Sequence, residues 1–299
     1  MNAPEKVKQY DRGAQTVGNI VHLEHFNVIQ DDQRLATLFY VVGLGGTRDP
    51  YLFPGLDNMW VNFGRTQAHL PSRGHKPRPQ VLRGTIGLVV PDLKALKTRL
   101  QFVASELKRV VPAAQTKFAW REKAGAVEAT CPWGNRVRCH APSRQLGGID
   151  LGIAYIDCDV PTGAAEGIAR FYADVMLAPA KTEGNRAMVS VGRDQRLMFT
   201  ESSSEIPEYD GHHIQVYIAD FGKPYEWLKA RGLITMETDA NEWRLQWIVD
   251  PGDGRKLFQI EHEVRSMKHP LFNRPLVNRN PGLTNASYAP GQDAFRGTT

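Results

Sequence analysis

The chain has 299 residues, 41% of them hydrophobic, and its 37 Lys and Arg against 32 Asp and Glu give a formal net charge of +5. That composition is globular and long enough for two domains with their own cores, which excludes wholesale disorder. Basic residues scattered among acidic ones, with no basic block, argue against a nucleic-acid partner.

The N-terminal stretch MNAPEKVKQYDRGAQTVG carries charges throughout and has no apolar run suited to a signal sequence. Nor does any segment approach the roughly 20 apolar residues that span a bilayer, so a cytoplasmic protein without a membrane partner is expected. The three cysteines, Cys131, Cys139 and Cys158, lack CxxC spacing and read as buried or incidental thiols in a reducing compartment.

From His25, in LEHFNVIQDD, a strand-like run leads to Asp32, and QRLATLFYVVGL follows with helical spacing of its apolar residues. The glycines at Gly43 to Gly46 come after that helix, the wrong order for a dinucleotide fingerprint, and are expected to end it. NMWVNFG and TQAHLP then read as strands. The pattern returns at Thr85, with Asp92 at the same offset and Leu93, Leu96 and Leu100 on one helical face, followed by TKFAWR, AVEATCP and NRVRCHAP. It returns at Asp150, with Asp157 and GAAEGIARFYADVML, then AMVSVG and QRLMFTE. The fourth copy starts at His213, with Asp220 and a helix in KPYEWLKARGL, then WRLQWIVDP and RKLFQIEHE.

The repeat length is about 60 residues, close to a small α/β module. Each aspartate is placed to cap the helix after it. One strand, one helix and three strands per copy predict an α+β chain of four βαβββ units, paired into domains at 20–142 and 148–265 with a junction at Ala141 to Gly148. Residues 266–299, rich in Pro, Asn and Gly, form an irregular extension. Its apolar anchors Leu271, Phe272, Leu276 and Val277 could dock on a neighbour, including a second copy in a homodimer.

TIGLVVPDLKAL, FYADVML, CPWGNRVRCHAP, HIQVYIADF and the WIVDPGDGRKL turn together resemble the vicinal oxygen chelate superfamily, over residues 20 to 265. Its members include glyoxalases, extradiol dioxygenases, and fosfomycin-resistance and bleomycin-binding proteins. The resemblance implies that two units curl into a cup, with a divalent metal held by side chains from the first and last strands of each unit. Because the superfamily spans several chemistries, it does not specify the reaction.

In the N-terminal pair the implied positions are His25, His69, Thr85, and Arg138 or His140. Thr85 and Arg138 depart from the pattern, since a guanidinium cannot ligate a cation. His140 lies two residues beyond Arg138 on the same strand face. The expected ligands are therefore His25, His69 and His140, around Fe, Mn, Zn or Ni, with Arg138, Thr85 and Trp60 toward a small-molecule substrate. In the C-terminal pair the positions are Asp150, Leu197, His213 and Phe258, two of which cannot coordinate. A one-residue slip at the DPGDG turn would bring Glu261 inward, giving Asp150, His213 and Glu261 as a second, catalytic set. His22, His75, His262 and His269 read as surface residues.

No GxSxG, P-loop or HExxH motif occurs. Two function classes follow. One is a metal-dependent dioxygenase, isomerase or lyase acting on a substrate with adjacent oxygens. The other is a metal-free binding protein, favoured by the departures at Thr85, Arg138, Leu197 and Phe258, in which Arg138 anchors an anion.

Overall fold

All four units fold as βαβββ in the computed structural model, which describes residues 12–52, 57–72, 78–112, 115–280, 283 and 286–291. The first has β1 (Ile20–Asn27), α1 (Gln33–Ala36) continued by a π-helical stretch over Thr37–Gly43, β2 (Thr47–Arg48), β3 (Asn58–Phe63) and β4 (Thr66–Pro71). The second has β5 (Gly84–Val89), α2 (Leu93–Val110), β6 (Ala119–Lys123), β7 (Ala126–Thr130) and β8 (Arg136–His140). The third has β9 (Gly152–Pro161), α3 (Ala165–Arg170) continued by a second π-helical stretch over Phe171–Val175, β10 (Ala180–Glu183), β11 (Arg186–Val191) and β12 (Gln195–Ser202). The fourth has β13 (His213–Ile218), α4 (Gly222–Lys229), β14 (Ile234–Thr238), β15 (Glu242–Val249) and β16 (Lys256–Ser266).

The aspartate caps hold in part. Asp32 accepts from the Arg34 and Leu35 amides and Asp92 from those of Lys94 and Ala95, satisfying donors that the first helical turn leaves free. Asp220 accepts from the Lys223 amide. Asp157 does not cap: β9 runs for ten residues and keeps it in mid-strand, where it takes the Thr200 hydroxyl at 2.7 Å and pairs with Arg186 at 3.2 Å. Glu201 from β12 accepts from the Ala165 amide of α3 instead. On α2, Leu96, Leu100, Val103 and Leu107 are buried, the stripe expected of an amphipathic helix.

Within each unit the first and last strands pair in parallel. The units themselves join through antiparallel contacts of their first strands, β1 with β13 and β5 with β9. Two eight-stranded sheets result, ordered β14-β15-β16-β13-β1-β4-β3-β2 and β10-β11-β12-β9-β5-β8-β7-β6. The first unit thus shares a sheet with the fourth, and the second with the third. This corrects the expectation that His25 and His69 share a cup with Thr85, Arg138 and His140, because strand pairing crosses between the two halves of the chain.

Alternation along the strands separates core from cup. In the first sheet Phe26, Ile214, Val216, Ile260 and Val264 enter the hydrophobic core, while His25, His213, Gln215, Glu261 and Glu263 alternate with them on the other face. The register of β1 against β13 shifts between Leu23 and His25, a bulge that inserts Glu24 before the histidine.

Beyond β16 the chain passes back over the first sheet. Phe272 packs edge-on against Tyr217 with ring centroids 5.0 Å apart, and Arg274 pairs with the buried Asp49 at 2.9 Å. Asn62 donates to the Val277 carbonyl, and Asn278 exchanges two hydrogen bonds with the Gly64 backbone. Of the four apolar anchors expected here, Leu271, Phe272 and Leu276 are half-buried and Val277 is exposed. No helix among the described residues is long and apolar enough to cross a membrane.

Candidate metal centre

β1, β4 and β13 are adjacent in the first sheet, and their register places Asn27 opposite both His69 and His213. His25, one pleat away, comes to the same place: His25, His69 and His213 each offer a ligand atom, and these lie within 4.8 Å of one another. Two donors on one ion at about 2.1 Å stand at most about 4.2 Å apart, so modest side-chain adjustment would close the set. Among the described residues this is the one group of three or more potential ligands. His213 was expected in a separate catalytic set; its strand neighbours β1, and it takes the place expected for His140.

The donor chemistry fits a metal. His25 is fully buried and, among the described residues, its Nε2 has no hydrogen-bond partner. Burial drives its pKa well below the ordinary histidine value, leaving a neutral imidazole suited to ligation. The ring of His69 stacks on Trp60 with centroids 3.7 Å apart, and Trp60 also meets the His25 ring edge-on. His69 Nε2 lies 2.6 Å from Asn58 Oδ1, while the Asn27 amide lies 2.6 Å from His69 Nδ1. Donation from Nε2 to Asn58 leaves Nδ1 with its lone pair, at present accepting from Asn27.

Two carboxylates flank His213, Glu261 at 3.5 Å from Nδ1 and Glu263 at 3.3 Å from Nε2. Arg244 holds both, at 2.8 and 2.7 Å, and Arg265 contacts Glu263, Glu242 and Glu24. Burial pushes Glu263 upward, but the His213 contact and the charge of Arg265 outweigh it and hold the group well below the usual carboxylate range. The inward position of Glu261 accompanies two shifts in the β15 to β16 register ahead of the DPGDG turn, between Leu245 and Trp247 and between Ile248 and Val249.

The remaining expected residues lie elsewhere. His140 ends β8 in the second sheet, where its Nε2 lies 2.9 Å from the Tyr155 hydroxyl; it is not a member of the histidine cluster. Arg138 is 3.8 Å from Glu128, and Thr85 faces Arg136 and Asp157 across its neighbouring strands. Asp150 lies two residues before β9, a strand of the second sheet, whereas His213 and Glu261 lie on strands of the first. In this second cup the Tyr155 ring lies over Gly87, where a Cβ would overlap it. Leu197 and Phe258 are buried core residues.

The histidines assigned to the surface are mostly inside. His262 is fully buried and lies 2.6 Å from the Tyr172 hydroxyl, His269 packs against Tyr217, and His22 contacts Gln195 and the Arg65 carbonyl. His75 lies outside the described residues. All three cysteines are buried and free, as expected.

No family model matches the sequence, and no curated protein matches it. Solved structures do. A presumed dioxygenase from Bacillus subtilis subsp. subtilis str. 168 superposes with a TM-score of 0.53 at 14% identity, covering 86% of this chain and 91% of its own. Glyoxalase I from Zea mays gives 0.53 at 15% identity, covering 81% and 92%. The chain shares the fold of these two structures, with four βαβββ units in tandem.

Proposed function

We propose that the cup built by the first and fourth units is the active site of a metal-dependent enzyme of the vicinal oxygen chelate type, a dioxygenase, isomerase or lyase acting on a small organic substrate with adjacent oxygens. The observation that carries this reading is the convergence of His25, His69 and His213 in a buried polar cup beside Glu261 and Glu263. The three imidazoles would hold an ion such as Fe, Mn, Zn or Ni, with one of the two glutamates next in reach. Such an ion supplies a Lewis acid that draws two neighbouring oxygens together and stabilises negative charge on them.

The chain's own groups prepare that site. Trp60 fixes the His69 ring by stacking and shields it from water. Arg244 holds Glu261 and Glu263 in place beside His213, so that the carboxylate not taken up as a ligand can accept a proton from a bound hydroxyl group. A cytoplasmic location belongs to the same reading; the sheets pair the first unit with the fourth and the second with the third, across the domain boundary expected at 142–148.

A second reading has an observation of its own. Both ring nitrogens of His69 are engaged by asparagine amides, an arrangement that satisfies the ring without an ion and suits a metal-free binding protein. Metal analysis separates the two. Protein purified without chelator or affinity metal is expected to carry a near-stoichiometric divalent ion, lost in His25→Ala and His213→Ala. A wild type that retains none, and takes up none on titration, sinks the enzyme reading.

A further inference from the structure

A cavity of about 500 Å³ lies where the second unit meets the fourth, lined among others by Arg83, Tyr209, Trp247, Phe258 and Gln259. That volume is within the range of small-molecule sites. Its walls combine aromatic surface with positive charge. The Arg83 guanidinium lies over the Phe258 ring at 4.5 Å and beside Tyr209 at 5.4 Å. Lys256 stands over Trp247 at 4.7 Å. Among the described residues neither cation is in an ion pair: Arg83 donates to the Pro207 and Gln259 carbonyls, and its Nε is buried without a partner. Among the described residues Glu208 is the one acid on the lining.

The cavity wall is hydrogen-bonded to the histidine cup. The Tyr209 hydroxyl accepts from the Glu261 amide at 3.1 Å and donates to the His212 carbonyl at 2.8 Å, so this wall is tied to residues at the metal centre. Gln259 precedes Glu261 by two residues on β16, about 6.6 Å along the same face of the strand. Gln246 bridges them, donating to Glu261 and accepting from Gln259.

We propose that this cavity binds an aromatic carboxylate, its ring against Trp247, Tyr209 and Phe258 and its charge on Arg83, with Lys256 assisting from the rim. This rests on the enzyme reading only in one respect: it makes the cavity the place where a distal anionic group of the substrate is held while its reacting end lies at the cup. Arg83 is then a binding residue supplied by the second unit to a site formed by the first and fourth, which gives the contact between the two sheets a functional role.

The test uses 2-naphthoate and its neutral counterpart 2-naphthalenemethanol as probes, titrated by calorimetry and tryptophan fluorescence into the full chain, with and without added zinc. Wild-type protein is expected to prefer the carboxylate at least about tenfold, the worth of a charge-assisted hydrogen bond. Arg83→Gln should remove the preference, and Trp247→Ala should weaken both probes. Because Arg83 also binds backbone across the two sheets, Lys256→Gln at the exposed rim serves as a second variant, expected to weaken the carboxylate alone by a smaller factor. Equal affinity for the two probes, no binding of either, or a preference unchanged in both charge variants overturns the proposal. The arm without added zinc reads the cavity even where the metal reading fails, and metal retention with no carboxylate preference sinks only the inference drawn here.

Discussion

His69 shows how a single ring can be prepared for a metal and yet satisfied without one. A ligating histidine usually donates its second N–H to an acceptor that fixes the ring, and Asn58 Oδ1 holds that position at Nε2. The Asn27 amide then occupies the site an ion would take at Nδ1. The two asparagines should therefore act in opposite directions. Asn58→Ala is expected to reduce metal affinity about 10- to 100-fold, whereas Asn27→Ala should leave it unchanged or raise it, both measured by competition with a chromogenic chelator. His140→Ala should not affect retention, since that ring serves Tyr155 in the other sheet; a loss of metal there would contradict the placement of the site. His262 gives a pH prediction of different origin. Burial lowers its pKa from 6.5 to about 4 while its ring contacts the Tyr172 hydroxyl. Below pH 6.5 the unfolded chain takes up a proton at this residue that the folded chain refuses until about pH 4. The stability it contributes is complete above the unfolded value and is lost as pH falls across that window, on the order of 3 kcal/mol. Urea midpoints followed from pH 7 to 4 should fall less steeply in His262→Gln than in wild type, and parallel slopes would show that this ring is not a source of acid lability.

At the scale of elements, the sequence was most readable where one local interaction decides the outcome. Asp92 precedes an amphipathic run and caps it, so Asp92→Ala should lower stability by about 1 kcal/mol through loss of two amide contacts. Asp157 has the same spacing from its anchor, but β9 continues past it, and Asp157→Ala should instead release Thr200 and Arg186 without a change in helix content. Circular dichroism together with denaturant melts distinguishes the two effects. The difference was not visible in spacing alone, because strand length depends on the neighbours available for pairing: β9 finds both β5 and β12 along its course. The bulge at Glu24 was hidden for a similar reason. An alternating pattern gives no sign of which residue will be extruded, yet the extra residue ahead of His25 helps decide which side chains meet His213 across the sheet.

At the scale of the whole molecule, the four units were legible from their periodicity and the pairing of those units was not. Every unit offers a first strand with an unpaired side, and local patterning is equally content with the first unit beside the second or beside the fourth. The choice is made by contacts distant in sequence, such as Asn19 bonded to the Asp220 carbonyl, which no short motif announces. His25 and His69 were found together because they lie in one unit, whereas His213 was assigned to a different cup because it lies in another. This arrangement makes a direct test possible. Neither residues 1–142 nor residues 148–299 contain the full histidine set, since His25 and His69 fall in one fragment and His213 with Glu261 and Glu263 in the other. Each fragment would also expose one edge of β1 or β13, of β5 or β9, that the intact chain pairs. Expressed separately, the fragments are expected to be poorly soluble and to retain little metal. Co-expressed, they should assemble and recover the retention of the intact chain, and His213→Ala in the second fragment should abolish that recovery. If the first fragment alone binds metal as tightly as the intact protein, the ion lies within one half of the chain and the shared cup of the first and fourth units is not its site.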